Sequence, residues 1–444
     1  MCGILIYNKD YSPLYNIKHR GEQHTIRKLN NFIFNHSSLP LQTNGLNISQ
    51  PIEFKNGDLL LFNGEIFNYK EFSNASSDLH YLKDLFRKGY KDSLIKQINK
   101  WDGFWSIVYY DKMHNCFYLF TDPLGKKQLY YSEKGISSEI KPLIEDNQSY
   151  YYSGFYYGTH GTMFSNIYRI LPNKIYKING DNLLLTKTIN DYYKFNRKEN
   201  VNFEKLMDTS VKRRLINKMD KITLLVSGGL DSTIILFHLL KHLDRNQIQF
   251  LTIENKEDQY IKIVEDYFNI KCKRIKLDKQ KIKKEIKVIC KSYEINVDYG
   301  SLIPQWYLVL NAENKVILTG DGADELFSGY DRSNYKDTQH YDVFMELPYL
   351  HHIRLDRISM QFTKEIRNPF LSKEIIEFAL SLSYKKRKNK KYLKEIYKNK
   401  IPIEIIERKK MPLRYLKEKQ KNERFIQKYH FKVFNKFSKK RTIN

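Results

Sequence analysis

The sequence is poor in cysteine, in long apolar runs and in export signals. Its four cysteines are scattered along 444 residues, so they form neither a metal-binding pair nor a disulfide framework, which fits a reducing cytosol. No apolar run reaches ~18 residues without a charge, which predicts no membrane-spanning helix. The first residues lack a basic segment followed by an apolar one, so we expect no signal peptide. Together these absences predict a cytoplasmic protein without a membrane partner.

Acidic residues are also scarce relative to basic ones. The chain has 50 Asp and Glu against 76 Lys and Arg, which gives a formal net charge of +26. Such a charge is typical of proteins that bind nucleic acid or acidic membranes. However, Lys, Asn, Ile and Tyr are abundant throughout, and no recognition motif accompanies the charge. We therefore interpret the excess as the codon bias of an AT-rich genome, in a globular chain with room for two or three domains.

A glycine-rich stretch in the second half carries the first chemical signal. The apolar run 222–226 predicts a buried strand, the run 234–240 predicts a helix, and Ser-Gly-Gly-Leu-Asp-Ser (227–232) joins them. Two adjacent glycines let backbone N–H groups approach a ligand, and a helix N-terminus favours an anion. The Walker A pattern is absent. The expected guest is a phosphate or pyrophosphate group.

A second strand end carries acidic residues. The apolar run 316–319 predicts another buried strand, and Gly-Asp-Gly-Ala-Asp-Glu (320–325) follows it. Three carboxylates at the end of a buried strand are costly unless they meet a cation or hydrogen-bond donors. Opposite a pyrophosphate loop, Mg²⁺ is the natural partner.

The N-terminus offers a nucleophile. If Met1 is removed, Cys2 carries a thiol and a free α-amine, so that one residue supplies both nucleophile and general base. The run 59–62 predicts a strand that ends at Asn63-Gly64-Glu65. An Asn amide beside a Gly N–H suits an oxyanion hole. The alternative is an ordinary hairpin turn, in which Asn-Gly is common.

These motifs, in this order, resemble those of glutamine-hydrolysing asparagine synthetases, which join a class II glutamine amidotransferase to a pyrophosphate-loop synthetase. The resemblance covers essentially the whole chain. It rests on Met-Cys-Gly-Ile (1–4), Arg-Gly (20–21), Asn-Gly-Glu-Ile-Phe-Asn-Tyr (63–69), Ser-Asp (77–78), Asp-Gly-Phe-Trp-Ser-Ile (102–107), residues 122–131 and 138–143, Ser-Gly-Gly-Leu-Asp-Ser (227–232) and Gly-Asp-Gly-Ala-Asp-Glu (320–325).

The resemblance implies two domains. Residues 2–194 would form an α+β glutaminase domain with the four-layer αββα fold of N-terminal-nucleophile hydrolases. Residues 195–444 would form an α/β synthetase domain like that of adenine nucleotide α-hydrolases. We place the boundary near 195, in the stretch 185–202, which is polar and predicted to be irregular.

The resemblance also implies a role for each residue of the glutaminase half. Cys2 would attack the side-chain amide of glutamine. Asn63 and Gly64 would form the oxyanion hole and contact the substrate, while Glu65 and Asp78 would bind its α-amino group.

In the synthetase half, the resemblance implies sites for ATP and Mg²⁺. Asp231 and Asp324 would hold the metal, and Asp321 would act in forming the acyl-adenylate. Lys410 would stabilise charge on the α-phosphate, with Lys409 as the alternative register. The implied ATP contacts are Leu225, Ser227, Gly228, Gly229, Asp231, Ser232, Ile253, Thr319 and Gly320.

The activity implied is conversion of aspartate to asparagine through β-aspartyl-AMP, with ammonia from glutamine and with AMP and pyrophosphate as products. The chain departs from the family at several positions. Ser38 replaces the arginine that pairs with the glutamine α-carboxylate, and Ser372 replaces an aspartate after Pro-Phe-Leu. Such losses resemble the divergent branch called asparagine synthetase domain-containing proteins. Loss of a charge-assisted pair costs about 1.5–3 kcal/mol of binding.

Several alternatives stay open. The first is amidation of another carboxylate, including a ring closure like that of β-lactam synthetase, although that reaction needs no Cys2. The second is tRNA modification, which the basic charge fits and a steep salt dependence would reveal. The third is a catalytically impaired relative that serves as an interaction protein. A homodimer is also open.

Overall fold

Strands dominate the first half of the chain and helices the second. A computed structural model describes residues 2–41, 49–89, 94–146, 148, 159–215, 221–254, 258–298, 300–330, 337–411, 413–416 and 419–434. Within these ranges, no helix has the length and apolar character needed to cross a lipid bilayer.

The first half contains two six-stranded sheets. The strands are β1 (Cys2–Asn8), β2 (Gln23–Leu29), β3 (Phe32–Ser38), β4 (Ile52–Glu53), β5 (Leu59–Ile66), β6 (Gly103–Asp111), β7 (Cys116–Thr121), β8 (Tyr130–Ser132), β9 (Gly135–Ser137), β10 (Tyr168–Arg169), β11 (Lys174–Asn179) and β12 (Leu185–Asn190). One sheet has the order β10-β8-β9-β1-β3-β2, and the other has the order β12-β11-β7-β6-β5-β4.

The two sheets pack face to face. Side chains alternate between the faces of a strand, so every second residue of β1 and β3 points toward the other sheet. Ile4 and Ile6 of β1 and Phe34 of β3 meet Leu59 and Leu61 of β5 in one apolar cluster. Cys2 belongs to the same alternating set, which places it at one end of the space between the sheets.

Two helices cover the other face of the second sheet. Helix α1 (Asp78–Phe86) and helix α2 (Leu94–Ile98) join a cluster with Phe62 of β5 and Trp105 of β6. The Oγ atom of Ser77 accepts a hydrogen bond from the backbone N–H of His80, which caps α1 at its N-terminus. The cap fixes the position of Asp78, the first residue of α1.

Two predictions for this half were wrong: the end of one strand, and the irregular structure expected after residue 185. Strand β5 does not stop at Asn63 but runs to Ile66, because β6 continues to pair with it as far as Gly103. The stretch predicted to be irregular begins with β12, which pairs with β11. Strand β12 looks polar because it is an edge strand with mostly exposed side chains, so the apolar alternation of a buried strand is missing.

The second half is built on a five-stranded sheet. Its strands are β13 (Ile222–Leu225), β14 (Ile248–Ile253), β15 (Lys273–Ile275), β16 (Val316–Leu318) and β17 (Glu365–Arg367). All four pairings are parallel, and the order is β15-β14-β13-β16-β17. The chain moves outward in one direction from β13 to β15 and in the other from β16 to β17. Ligands of such sheets bind at the carboxyl ends of the strands beside this reversal, which here lies between β13 and β16.

Helices surround this sheet. They are α3 (Phe203–Arg214), α4 (Leu230–Leu239), α5 (Asp258–Phe268), α6 (Lys279–Tyr293), α7 (Leu302–Asn311), α8 (Ala323–Leu326), α9 (Gln339–Tyr341), a π-helix (Asp342–His351), α10 (His352–Gln361), α11 (Lys373–Ser381), α12 (Tyr384–Arg387), α13 (Lys391–Tyr397), α14 (Ile403–Glu407) and α15 (Lys419–Phe434). Short 3-10 turns cover Lys18–Arg20, Tyr69–Glu71, Lys141–Leu143, Arg245–Gln247, Pro369–Leu371 and Lys388–Lys390.

Buried ion pairs join the two halves. Arg20 donates two hydrogen bonds to Asp356 of α10, at 2.9 and 3.0 Å, and Lys127 Nζ lies 2.5 Å from the same carboxylate. Asp102, at the start of β6, accepts a hydrogen bond of 3.2 Å from Arg214 of α3. All of these groups are nearly inaccessible to water, so removal of one partner would leave an unpaired buried charge.

Candidate functional site

The first cluster of predicted site residues surrounds Cys2. The backbone N–H of Cys2 donates to Asn63 Oδ1 at 3.0 Å, which ties the start of β1 to the middle of β5. The thiol sulfur lies 3.9 Å from Ser38 Oγ and 3.9 Å from Gln50 Nε2. Gln50 is itself held in place, because its side-chain oxygen accepts from the backbone of Phe62 at 2.6 Å.

The Cys2 thiol is electrostatically activated. Burial alone would raise its pKa, but the charges of His36 and of the N-terminal amine, together with hydrogen bonds from His36 and Ser38, lower the pKa from 9.0 to about 6. A thiolate is the nucleophilic form of cysteine, and a pKa near this value keeps it populated at neutral pH. The other three cysteines are also buried, and burial raises the pKa of each one. Cys2 therefore stands apart as the reactive thiol.

Asn63 is built to donate to a ligand. Its side chain is fully buried, and its Nδ2 group has no hydrogen-bond partner in the described part of the chain. A buried amide without a partner is costly unless a substrate satisfies it. Gly64 follows where β5 runs so close to β6 that a Cβ atom would lie 2.2 Å from the carbonyl oxygen of Phe104. The open Nδ2 group has the chemistry of an oxyanion-hole donor.

Two predicted glutamine-binding carboxylates, Glu65 and Asp78, are buried near each other. Burial raises the pKa of Glu65 well above its usual range, and the charges of Glu365 and Asp78 raise it further. Burial also raises the pKa of Asp78 to about 7, although the backbone N–H of Ile66 donates to it at 3.1 Å. Arg367 Nη2 lies 3.8 Å from Glu65 Oε1, and its positive charge partly offsets the rise in the pKa of Glu65. An ammonium group bound beside Glu65 and Asp78 would lower both pKa values and favour the ionised carboxylates.

Arg20 does not replace the arginine that the sequence lacks at Ser38. The guanidinium group of Arg20 is occupied by Glu139, Asp356 and the backbone oxygen of Cys2, at 2.9 to 3.1 Å, and it is fully buried. Its charge therefore holds the halves together and positions the nucleophile strand. It is not available to the carboxylate of a substrate.

The second cluster lies at the ends of β13 and β16. Gly228 has φ = +64°, a left-handed conformation that glycine adopts without strain, and Gly229 begins α4. The hydroxyls of Ser227 and Ser232 lie 3.1 Å apart, and Thr233 donates to the Gly229 carbonyl at 2.8 Å. This strand-turn-helix agrees with the predicted loop and lies at the carboxyl end of β13, beside the switch point of the sheet.

Two carboxylates share two lysines at this switch point. Lys390 Nζ lies 2.6 Å from Asp231 and 2.5 Å from Asp324, while Lys410 Nζ bonds to Asp324 and lies 3.9 Å from Asp231. Burial would raise the pKa of Asp324, but the two lysines hold it well below its usual range. Burial keeps the pKa of Asp231 above its usual value.

This donor set fits Mg²⁺. Two carboxylates that already share a cation supply the oxygen ligands that Mg²⁺ takes from a protein, and phosphate oxygens complete its shell. Within the residues described above, no group of three or more His, Cys, Asp or Glu side chains forms a denser metal cluster.

Of the two candidate lysines, Lys410 is the one that reaches the carboxylates. Its ammonium group bonds to Asp324, and that contact raises its pKa although burial would lower it. Lys409 is exposed. Two residues earlier in the motif, Arg408 donates to the carbonyl of Ser227 at 2.9 Å. Residues 408–410 therefore contact both the glycine loop, at Ser227, and the carboxylate of Asp324.

The remaining predicted ATP contacts and Asp321 lie around the same crevice. Asp321 accepts a hydrogen bond from the Thr319 hydroxyl at 2.6 Å, and Gly320 packs against Asp231. Leu225 ends β13 and Ile253 ends β14, in one apolar cluster. Core packing accounts for these two as well as contact with an adenine does, so their predicted role stays a prediction.

Sequence reasoning missed several neighbours of the two clusters. His36, Gln50 and Lys390 come from segments distant in sequence, and none of them is among the predicted site residues. Ser372, which stands where the family has an aspartate, keeps a helix-capping role. It caps α11 by accepting a hydrogen bond from the Ile375 N–H at 3.4 Å, as an aspartate would do.

The described residues form two parts, one with a cysteine between two sheets and one with an acidic crevice at a parallel-sheet switch point. Residues 202–343 and 335–433 match the family model described as asparagine synthase, and residues 1–192 match that of a glutamine amidotransferase domain. The chain belongs to the asparagine synthase family.

Individual relatives agree at low identity. The glutamine-hydrolyzing asparagine synthetases of Homo sapiens and Cricetulus griseus are 24% and 25% identical to this chain, over 86% and 80% of it and 76% and 72% of their own lengths. Two relatives from Methanocaldococcus jannaschii, provisionally given the same name, are 25% and 24% identical over 61% and 73% of the chain. The matches span 59% and 64% of those two relatives.

A solved structure of NMN synthetase from Francisella tularensis aligns with 55% of this chain and all of its own, at 12% identity. The TM-score is 0.19, which is too low to indicate a common fold.

Proposed function

We propose that this protein makes asparagine from aspartate in an ATP-dependent reaction, with glutamine as the nitrogen donor. The observation that carries the proposal is the meeting of Asp231, Asp324 and Lys410 at the switch point, in a chain whose other half presents an activated Cys2 to the unpaired amide of Asn63. The family relatives supply aspartate as the acceptor. From the residues alone, the acceptor is some carboxylate that becomes adenylated.

The glutaminase half would hydrolyse the side-chain amide of glutamine. After removal of Met1, the α-amine of Cys2 takes the thiol proton and the thiolate attacks the amide carbon. The amine then gives this proton to the amide nitrogen, the carbon–nitrogen bond breaks, ammonia leaves, and a thioester to Cys2 remains. Asn63 Nδ2 stabilises the oxyanion, and Glu65 with Asp78 holds the α-ammonium group. Water then releases glutamate and frees the thiol, and the departing ammonia is the nucleophile for the second site. Two facing sheets with helices on one side support the N-terminal-nucleophile fold, over 2–194 by our proposed boundary.

The synthetase half, from 195 onward in our proposed division, would adenylate the acceptor. The N–H groups of the loop around Gly228 and Gly229 bind the pyrophosphate end of ATP. Asp231 and Asp324 would hold Mg²⁺, which shields the charge of the pyrophosphate leaving group. Lys410 stabilises negative charge on the α-phosphate, and Asp321 acts beside the acceptor. Ammonia attacks the acyl-adenylate and releases asparagine and AMP.

The proposal is tested by pyrophosphate release in the presence of ATP, Mg²⁺ and aspartate, with ammonium and then with glutamine. Release with both sources supports the complete reaction. The Cys2→Ala variant should lose glutamine-driven release and keep ammonium-driven release, whereas Asp324→Asn should lose both. Silence of the unmodified protein with both sources would overturn the proposal.

One observation favours a narrower function, in which the synthetase half works with free ammonia and glutamine is used poorly. Ser38 offers no charge to the α-carboxylate of glutamine, and Arg20 is committed to Asp356 and Glu139. The missing pair is worth about 1.5–3 kcal/mol, or about 10- to 150-fold in binding. Release with ammonium at moderate concentration, together with a very high KM for glutamine, would select this second function.

A further inference from the structure

A buried lysine of the glutaminase half reaches into the synthetase half. Lys126 is only 6% exposed, and its Nζ atom lies 4.0 Å above the ring of Phe104. The same atom donates to Asn368 Oδ1 at 2.6 Å, across the boundary between the halves. No ion pair is recorded for Lys126 among the described residues. Burial and the neighbouring Lys127 hold its pKa well below the usual range.

Three hydrogen bonds connect this lysine to the acidic crevice. Lys126 Nζ donates to Asn368 Oδ1, Asn368 Nδ2 donates to Thr319 Oγ1 at 2.8 Å, and Thr319 Oγ1 donates to Asp321 Oδ2 at 2.6 Å. The chain of bonds has one direction. Asp321, as a carboxylate, can only accept, so Thr319 donates to it and accepts from Asn368 Nδ2, which turns Asn368 Oδ1 toward the Nζ donor of Lys126.

Without Lys126, nothing would hold the Asn368 side-chain amide in the orientation that lets Asn368 donate to Thr319. With Lys126 present, the oxygen of Asn368 must face the lysine, so its Nδ2 group must face Thr319. Thr319 then accepts from Asn368 and gives its only proton to Asp321. If the Asn368 amide turned over, Thr319 would donate to Asn368 instead, and Asp321 would lose the bond that orients it.

We propose that Lys126 is a positioning residue for Asp321, acting through Asn368 and Thr319, so that a residue of the glutaminase half sets the geometry of the adenylation site. This inference rests on the proposed function, since it assigns Asp321 a part in the ATP-dependent step. It predicts an effect on the ammonium-driven reaction, in which the chemistry of Cys2 takes no part.

A purely structural role makes a different prediction. A buried lysine without a carboxylate partner costs stability, so an apolar side chain of similar length should be neutral or stabilising. Lys126→Met would then leave all kinetics unchanged. As a positioning residue, Lys126 should instead show a lowered kcat for ammonium-driven AMP formation, by about 10- to 100-fold, because small displacements of a reacting group have effects of that size. The KM for ATP and the rate of glutamine hydrolysis should change less than about twofold, because neither depends on Asp321 orientation.

The experiment measures kcat and KM for ammonium-driven AMP formation in full-length variants. Lys126→Met and Thr319→Val should lower kcat to similar extents, and the double variant should be no worse than either single one, since both break the same chain of bonds. Lys174→Met is the matched control, because Lys174 also donates to an asparagine, Asn190, at 2.6 Å, but on the surface.

Two results would overturn the inference: an unchanged kcat in Lys126→Met, or losses in the two single variants that multiply in the double variant. Failure of the proposed function looks different, because the unmodified protein would then form no AMP with ammonium.

Discussion

The activation of Cys2 can be tested by replacing His36. A pKa of about 6 leaves about 90% of the thiol ionised at pH 7, whereas a pKa of 9.0 leaves about 1%. In His36→Gln the charge and hydrogen bond of His36 are lost, while burial, the N-terminal charge and the Ser38 hydrogen bond remain. We therefore expect the pKa of Cys2 to rise, because the largest of the lowering causes is removed. The thiolate fraction at pH 7, and with it glutamine hydrolysis, should fall by about 10-fold or more.

The assay follows the ultraviolet absorbance of the thiolate between pH 5 and pH 10, as the difference between each protein and its Cys2→Ala counterpart. The other cysteines should stay silent over most of this range, because burial raises the pKa of Cys272 to about 12 and also raises those of Cys116 and Cys290. His24→Gln is the control, since His24 is exposed and bonds to Ser37. The reasoning is refuted if the unmodified protein titrates above pH 8, or if His36→Gln titrates near pH 6.

Three further predictions concern the two sites and the contact between the halves. Asn63→Ala should lower the kcat of glutamine hydrolysis by about 10²–10³-fold and spare ammonium-driven turnover; an equal loss in both would contradict its oxyanion role. Because burial raises the pKa of Asp78 to about 7, this carboxyl becomes neutral below that pH, and the KM for glutamine should rise from pH 8 to pH 6; a flat profile would argue against an ammonium partner. Asp102→Asn removes the counter-charge of Arg214, which is 2% exposed. Chemical denaturation should show a loss of about 3–5 kcal/mol in the free energy of unfolding, whereas the exposed Asp181→Asn should show almost none.

Local sequence patterns were sufficient to predict the two strands that precede the glycine loop and the acidic motif. The apolar runs before Ser227 and Gly320 predicted two buried strands, and both strands occur in the parallel sheet. That Asp231 and Asp324 would meet was implied by the family resemblance and not by the runs themselves, and both carboxylates do lie beside Lys390. The extent of β5 and the existence of β12 could not be read in this way. One depends on pairing with β6, and the other is an exposed edge without apolar alternation.

Contacts between distant segments account for what the sequence could not indicate. Lys390 reaches Asp231 across 159 positions, and Lys126 reaches Asn368 across 242, in a chain with 76 basic residues among which neither lysine stands out. His36 lies on β3, two residues before Ser38. Its effect on Cys2 depends on the pairing of β3 with β1, which brings Ser38 opposite Cys2.

The central claim is that nitrogen released at Cys2 ends in the product formed at the acidic crevice. The most direct measurement supplies the protein with glutamine labelled with ¹⁵N in the side-chain amide, together with ATP, Mg²⁺ and aspartate, and analyses the amino acids by mass spectrometry. The account predicts ¹⁵N-asparagine in amounts equal to the AMP formed, and none with Cys2→Ala. AMP without labelled asparagine, or label in asparagine that persists in Cys2→Ala, would contradict it.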